Sequence, residues 1–207
     1  ASTGSFDFGY LKRFKKFTIN GSIYYQRTTN NFQFVNEDTG ETVVLSGDPN
    51  DPNSSLVIVP VLRRGPINLS KNKRYGGEAS LTFTPNRKIR LNTNFNVYSN
   101  EVIGTYNGFV FDAKNISWSS RFISSINFGK GLSWQNQLFL RGPRVTAQSK
   151  SKPLGGLSTA INKDILKDKG TISFRISDVF NSQKYRSDTF TDTFNSYTEF
   201  QWRQPTY

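Results

Sequence analysis

The sequence predicts an all-β protein, an antiparallel up-and-down transmembrane β-barrel, and three features of the chain lead to that class. The first is strict alternation, in which Ile89, Leu91 and Phe95 fall on one side of an extended strand while Arg90 and Asn92 fall on the other. The second is length, because the alternating segments reach ten or more residues. Strands average about 5–6 residues in globular proteins, but crossing a bilayer takes about 9–11. The third is that short and long connections alternate, as they do in outer-membrane barrels.

About nine strands are predicted, each from its own alternation. In chain order they cover 5–11, 17–27 with pairing continuing to about Val35, 74–84, 89–100, 115–128, 132–141, 154–165, 171–180 and a last extended stretch ending at Tyr207. Four connections are short and rich in Pro, Gly or basic residues, namely 12–16, 85–88, 129–131 and 166–170. Four are long, namely 36–73, 101–114, 142–153 and 181–193.

The phase of each predicted strand assigns its side chains to lipid or to the barrel interior. The residues expected to face lipid are apolar: Ile19, Ile23, Leu81, Phe83, Leu91, Phe95, Phe122, Ile126, Leu138 and Phe174. The residues expected to face inward are polar: Thr82, Asn92, Asn94, Gln137 and Arg175. A register shift of one residue would invert a strand's whole set, so the assignment is open to test.

Composition narrows the classes of protein further. The mean hydropathy of −0.55 and the lack of a long apolar run exclude a helical membrane protein, which needs about 18 such residues in a row. The chain contains no His and no Cys, which removes the usual general base, the commonest metal ligand and thiolate chemistry. The acidic stretch Asp48–Asn53 lacks the glycine and distal glutamate of a calcium loop. We therefore expect no enzyme activity, no metal and no cofactor.

The formal net charge of +12 raises the question of a nucleic-acid partner. The distribution of the basic residues answers it. Lys12 and Arg13, and likewise Arg87 and Lys88, lie in predicted turns between strands and do not form one continuous stripe. We therefore expect no nucleic-acid binding.

Two sets of candidate functional residues follow from the alternation. The inward-facing polar residues are candidates for contact with a ligand or with an internal plug, or else they form a hydrated barrel wall: Glu78, Arg90, Asn92, Asn94, Asn96, Gln135, Gln137, Arg141 and Arg175. The second set consists of aromatic residues that either form girdles at the membrane interfaces or are ordinary strand aromatics: Tyr25, Trp118, Trp134 and Trp202.

The stretch 36–73 is the longest predicted loop, and we expect it to lie outside the cell and to contribute to ligand capture. It contains the apolar run Leu56–Val59, which predicts a short strand extension above the membrane. The alternative is a loop that only shields the sheet edge or contacts lipopolysaccharide.

The order and spacing of several short motifs resemble the C-terminal barrel portion of Bacteroidetes-type TonB-dependent outer-membrane receptors, in the outer membrane protein beta-barrel family. The motifs are Arg63–Leu69, Arg74–Glu78, Tyr106–Gly108, Asn115–Trp118, Phe139–Pro143 and Ser177–Asn181. The resemblance implies that residues 1–207 belong to a 22-stranded barrel, without the plug and N-terminal domains. It also implies as partners the lipid bilayer, lipopolysaccharide, the receptor's own plug and the TonB system.

The function that this resemblance implies is uptake of a nutrient ligand across the outer membrane, with the ligand itself undetermined. The alternative is an outer-membrane adhesin or a soluble β-sandwich binding module without transport activity. Dependence on detergent separates a membrane wall from a soluble sandwich, because only the former exposes an apolar sheet face to lipid.

Overall fold

The computed structural model describes residues 1–106, 108–167, 169–191 and 194–201, with the side chains of residues 69, 70 and 109 excepted. Within these ranges the chain forms fourteen β-strands and no helix. No helix long and apolar enough to cross a membrane occurs among these residues. The motif residue Asn107 and the stretch 202–207, which includes Trp202 and the end of the last predicted strand, lie outside the described residues.

Long strands and short strands follow one another along the chain. They are β1 (Ser2–Arg13), β2 (Phe17–Ser46), β3 (Val57–Asn86), β4 (Ile89–Ile103), β5 (Thr105–Tyr106), β6 (Phe109–Val110), β7 (Ala113–Gly129), β8 (Leu132–Arg141), β9 (Arg144–Val145), β10 (Ser149–Ser151), β11 (Leu154–Ile165), β12 (Gly170–Ile176), β13 (Tyr185–Phe190) and β14 (Asn195–Phe200).

The long strands form one antiparallel meander of eight strands in the order β1-β2-β3-β4-β7-β8-β11-β12. Its connections are sorted by side, as predicted. The short turns 14–16, 87–88, 130–131 and 166–169 lie at one end of the sheet, which we call the turn end. The longer connections 47–56, 104–112 and 142–153 lie at the opposite end, which we call the loop end. The predicted count of about nine strands becomes eight in this sheet, with six short strands beside it.

The prediction of a long loop over 36–73 is wrong. β2 and β3 are each 30 residues long and pair as one hairpin, with a tip between Ser46 and Val57. The reason is a second set of β-branched residues beyond the polar stretch, because Val43 pairs with Val59 and Val44 with Ile58. The expected strand at Leu56–Val59 is confirmed from Val57 onward, where it forms part of β3, while Leu56 precedes the strand.

The pairing register shows that the sheet has two chemically different faces. Ile19, Leu81 and Thr93 are paired in turn across β2, β3 and β4, and paired residues share a face. When the paired residues are followed in the same way from β4 through β7, β8, β11 and β12, all ten residues predicted to face lipid lie on one face. The five residues predicted to face inward share the other. We call these the apolar face and the polar face.

The apolar face is exposed, with Ile23 at 66% and Ile116 at 68% of their full accessibility. A row of charged residues, Arg27, Lys73, Glu101 and Lys114, is paired across β2, β3, β4 and β7 near the loop end. From Ser99 to Ile89 on β4 this face carries no charge. The ten residue steps between Ile89 and Ser99 span about 33 Å of strand, or about 25 Å of membrane thickness at a tilt of about 40°. A band of this height matches the apolar belt of an outer-membrane barrel.

A small apolar cluster, which we call the cap, forms at the loop end from Val35, Ile67, Val102 and Phe111, packed against Tyr106 and Ala147. The hairpin of β9 and β10 contacts it through Ala147. There the Asn36 backbone N–H donates to Gln148 Oε1 (2.9 Å), and Gln148 Nε2 donates to the Asn36 carbonyl (3.0 Å). One side-chain amide thus acts as a strand partner and ties the β9–β10 hairpin to β2, which is distant in sequence.

The predicted strand 171–180 ends earlier, because β12 stops at Ile176 and a turn begins at Asp178. Asp178 has a φ of 53° and is buried, and its carboxylate accepts from the backbone N–H groups of Ser182 (2.9 Å) and Gln183 (3.0 Å). The chain then enters β13, which pairs with β10 and β14 in a second, loop-end sheet of order β14-β13-β10-β9.

The main sheet is open within the described residues. β1 pairs only with β2, and β12 pairs only with β11. The fold is therefore all-β and antiparallel as predicted, and it forms an eight-stranded wall with two free edges.

Candidate functional site

The polar face carries a groove of about 560 Å³ at the middle of the sheet. Polar side chains from five neighbouring strands, β2, β3, β4, β7 and β8, line it, together with apolar residues at its margin. The lining residues are Asn20, Glu78, Ala79, Ser80, Asn94, Phe95, Asn96, Ser119, Ser120, Arg121, Phe139, Leu140, Arg141 and Leu154.

Four of the nine residues predicted to face the interior meet in this groove: Glu78, Asn94, Asn96 and Arg141. The other five lie on the same face but outside the groove: Arg90, Asn92, Gln135, Gln137 and Arg175. Of those five, Asn92 accepts a hydrogen bond from Thr82 Oγ1 (2.9 Å), so it belongs to the sheet's own polar wall.

The groove also contains residues that sequence reasoning missed, and Arg121 is the main one. It pairs with Asn94 on β4 and with Phe139 on β8, so it stands at the centre of the groove. The alternation of β7 could have identified it, because Arg121 is out of phase with Trp118 and Phe122 on the same strand.

A hydrogen-bond chain fixes the β2–β4 side of the groove. The Tyr24 hydroxyl donates to Asn96 Oδ1 (3.1 Å), and Asn96 Nδ2 donates to Glu78 Oε1 (3.0 Å). The Glu78 carboxylate is thereby held in place while its remaining oxygen capacity stays available to a ligand.

Gly76 explains the geometry beside this chain. A Cβ at residue 76 would lie 2.4 Å from the Val97 carbonyl oxygen and 2.7 Å from the Tyr98 Cβ, so glycine lets the β4 backbone at Val97–Tyr98 approach β3 closely. The Arg74 guanidinium stacks over the Tyr98 ring at 4.8 Å from its centroid. The motif Arg74–Glu78 therefore has a physical basis, because its alternate residues lie on one face. Arg74 supplies a stacked cation, Gly76 leaves room for the close approach of β4, and Glu78 supplies a carboxylate held by a hydrogen bond.

The charge of the groove is mixed, with a positive balance from Arg121 and Arg141 over Glu78. All three side chains are exposed to the groove's solvent space. Such an arrangement can bind a polar ligand through charge-assisted and neutral hydrogen bonds. No group of three or more His, Cys, Asp or Glu residues in the described part of the chain is placed to hold a metal ion.

The three aromatic residues predicted at the membrane interfaces all lie on the apolar face, and they occupy different heights. Tyr25 pairs with Tyr75 next to the charged row. Trp118 lies near the same end, stacked on Phe95 with ring centroids 6.3 Å apart. Trp134 pairs with Ile126 near the turn end, and its Nε1–H donates to Thr159 Oγ1 (2.8 Å). Their placement at both margins of the band is the placement that a girdle requires.

Groups at the loop end are mostly engaged in local contacts. At the hairpin tip, the carboxylates of Asp48 and Asp51 accept from the backbone N–H groups of Asn50 and Asn53 (both 2.9 Å), so they build turns. Lower on the hairpin, Arg63 donates to Glu37 (2.7 Å), and this hydrogen bond raises the pKa of the Arg63 guanidinium.

Comparison with known proteins decides the class. The outer membrane protein beta-barrel family model matches residues 1–207, the whole chain. The chain belongs to this family. No curated protein and no solved structure matches it significantly.

Membership in the outer membrane protein beta-barrel family agrees with the two-faced antiparallel sheet, and it places the chain in the outer membrane. The prediction of outer-membrane localisation is therefore confirmed. The family also accounts for the exposed apolar face, which in this setting lies against lipid.

Proposed function

We propose that this chain forms part of the wall of a TonB-dependent outer-membrane receptor that takes up a nutrient ligand. The observation that carries the proposal is the polar groove, which opens on the polar face of the sheet, on the turn-end side of the cap. A ligand captured at the loop end would meet this groove on its way inward.

The open sheet supports a larger barrel. In lipid, an unpaired strand edge leaves backbone N–H and C=O groups without partners, so membrane sheets close on themselves. The edges at β1 and β12 therefore require further strands, in keeping with the 22 strands that the resemblance implies. A barrel of that size has a lumen wide enough to hold a plug.

We propose distinct roles for the two ends. The loop end, with its 30-residue hairpin strands, lies outside the cell and contacts the ligand and lipopolysaccharide. The turn end faces the periplasm, where a plug would engage the TonB system. The wall residues bind and guide the ligand, and no enzymatic step is proposed for them.

The alternative function is that of an outer-membrane adhesin. The observation that favours it is the β2–β3 hairpin, which extends well beyond the charged row and exposes apolar residues such as Phe32, at 64% of its full accessibility, and Leu45, at 70%. A soluble β-sandwich is a weaker alternative, because no second sheet covers the apolar face in the described part of the chain.

Uptake by the complete protein tests the proposal against the adhesin. Cells that express it are grown on mixed nutrient extracts, with and without a functional TonB system, and accumulation of extract components is measured by mass spectrometry. We expect at least one component to accumulate only when both the protein and TonB are present. Deletion of 46–55 at the hairpin tip should reduce this accumulation while the protein still reaches the outer membrane. Accumulation that is independent of TonB, or absent, would contradict the proposal.

A further inference from the structure

We propose that Arg74, Asn100 and Asn115 form a binding site for a carboxylate group on the polar face. The proposal deepens the proposed function, on which it rests, by naming a chemical feature of the ligand. The three residues are paired in sequence across β3, β4 and β7, Arg74 with Asn100 and Asn100 with Asn115. Directly paired residues have Cβ atoms about 4.5–5.5 Å apart, so the three side chains form one continuous row.

The row contains buried polar atoms that have no hydrogen-bond partner. They are Arg74 Nε, Asn100 Oδ1 and Asn115 Nδ2, with Asn72 Oδ1 beside them on β3. Buried polar groups in folded proteins are nearly always paired, so a cluster of four unpaired atoms on adjacent strands calls for an explanation. Two of these atoms are donors and two are acceptors.

The Arg74 guanidinium is stacked on one side, and its buried Nε has no partner. Its Cζ lies 4.8 Å from the centroid of the Tyr98 ring, and the Cβ of Tyr98 comes close to Gly76. Arg74 forms no ion pair with any described residue, whereas its neighbour Lys73 is 3.9 Å from Glu101. A stacked guanidinium with a free Nε–H presents the side-on fork that binds both oxygens of a carboxylate.

The amides on either side define the rest of the ligand group. Asn115 Nδ2 can donate a further hydrogen bond to the carboxylate, and Asn100 Oδ1 and Asn72 Oδ1 can accept from an adjacent N–H or O–H. The group that fits is a carboxylate with a hydrogen-bond donor beside it. Acidic sugars and the C-terminal residue of a peptide both carry this combination.

The position of the row suits a ligand that enters from outside. Val102 of the cap follows Asn100 on the same face of β4, so the row lies directly below the cap. On the other side, Asn96 begins the groove already described. A ligand whose carboxylate is held at Arg74 would extend into that groove.

Calorimetric titration of the complete protein in detergent tests the site with defined probes. Glucuronate is compared with glucose, and N-acetylglycylglycine with N-acetylglycylglycinamide, so that the acidic-sugar and peptide sources are separated. We expect one charged probe to bind about tenfold or more tightly than its neutral analogue, because a charge-assisted pair contributes about that much. Equal affinity for the charged and neutral members of both pairs would overturn the proposal.

Substitutions assign that difference to the row. Arg74→Gln should abolish the preference for the charged probe. Arg74→Lys should keep only part of it, because lysine retains the positive charge but cannot form the fork. Arg87→Gln, in the short turn that follows β3 at the turn end, is the matched control and should leave the preference unchanged. If Arg74→Gln does not fold, Asn115→Asp provides the second test, since its negative charge should repel the charged probe alone. An unchanged preference in the folded variant rejects the site.

The outcomes for the two proposals are distinguishable. If the charged probe binds through Arg74 but TonB-dependent accumulation is absent, the receptor function fails and the carboxylate site stands. If accumulation occurs and Arg74→Gln alters neither it nor probe affinity, only the carboxylate site fails.

Discussion

The two faces of the main sheet come from alternate residues of the same strands, and one face is polar while the other is apolar. The polar face presents arginines, amides and a carboxylate around a groove. The apolar face keeps a band about 25 Å high free of charge on β4, bounded by aromatic residues and by the charged row. Because the backbone hydrogen bonds of both faces are the same ladders, the difference rests on the side chains alone.

Polar side chains do occur on the apolar face, and their contacts show what that face tolerates. Trp134 Nε1 donates to Thr159 Oγ1, Thr159 Oγ1 donates to Asn136 Oδ1 (both 2.8 Å), and Asn136 Nδ2 donates to Ser124 Oγ (3.1 Å). These groups satisfy one another across β7, β8 and β11. The apolar face thus admits polar groups that bond laterally, and the polar face does the same with Asn96 and Glu78 but also leaves Arg121 and Arg141 exposed.

The largest expected effect comes from placing a charge on each face in turn. Leu81→Arg puts a cation near the middle of the apolar band and should cost about 2–4 kcal/mol in the free energy of folding into a bilayer. Ser80→Arg, one residue away on the polar face, should cost less than about 1 kcal/mol because its surroundings are wet. Urea titration in lipid vesicles measures both, and equal costs would contradict the assignment of faces.

A smaller effect is expected from two adjacent glycines on opposite faces. Gly76→Ala would bring a Cβ within 2.7 Å of the Tyr98 Cβ and should cost about 1–3 kcal/mol through overpacking. Gly77→Ala meets its nearest neighbour, the Ser22 carbonyl oxygen, at 3.4 Å and should cost less than about 1 kcal/mol. The same urea titration distinguishes them. A Gly77 variant as unstable as the Gly76 variant would mean that β4 does not approach β3 closely at Gly76.

The smallest effect concerns the loop-end sheet. The Tyr197 hydroxyl donates to Glu199 (2.9 Å), and this bond, with Arg186 at 3.2 Å, lowers the pKa of the Glu199 carboxyl below its ordinary value of 4.5. A lowered folded pKa means that the stabilisation is present above pH 4.5 and is lost as the pH falls through the lowered value. The protection of the β13 and β14 amides, measured relative to their intrinsic exchange rate at each pH, should fall slightly in acid, and Glu199→Gln should remove that dependence.

The sequence was sufficient for the local pattern of the main sheet. Strands with one apolar and one polar face, such as β4 and β8, were located within a few residues because a period of two is a local property. The positions of the short turns followed for the same reason, since glycine, proline and asparagine act within a few residues of themselves.

Contacts between distant segments could not be predicted in this way. The Gln148 amide pairs with the Asn36 backbone across 112 residues, and nothing in the local sequence of either residue indicates the other. The hairpin extension was missed because its polar stretch around Asp38–Gly40 resembles a loop, while its pairing depends on residues about twenty positions later. The groove likewise needed five strands in register before Arg121 and Glu78 could be assigned to one site.

The most direct test of the two-faced wall is site-specific labelling at two adjacent residues of β4. Phe95→Cys and Asn94→Cys are made in the complete protein, which is reconstituted in vesicles and treated with a lipid-soluble or a water-soluble thiol reagent. We expect the lipid-soluble reagent to modify residue 95 and the water-soluble reagent to modify residue 94, because the two side chains lie on opposite faces. Labelling of residue 94 from lipid, with residue 95 reached only from water, would show that the faces are assigned the wrong way round.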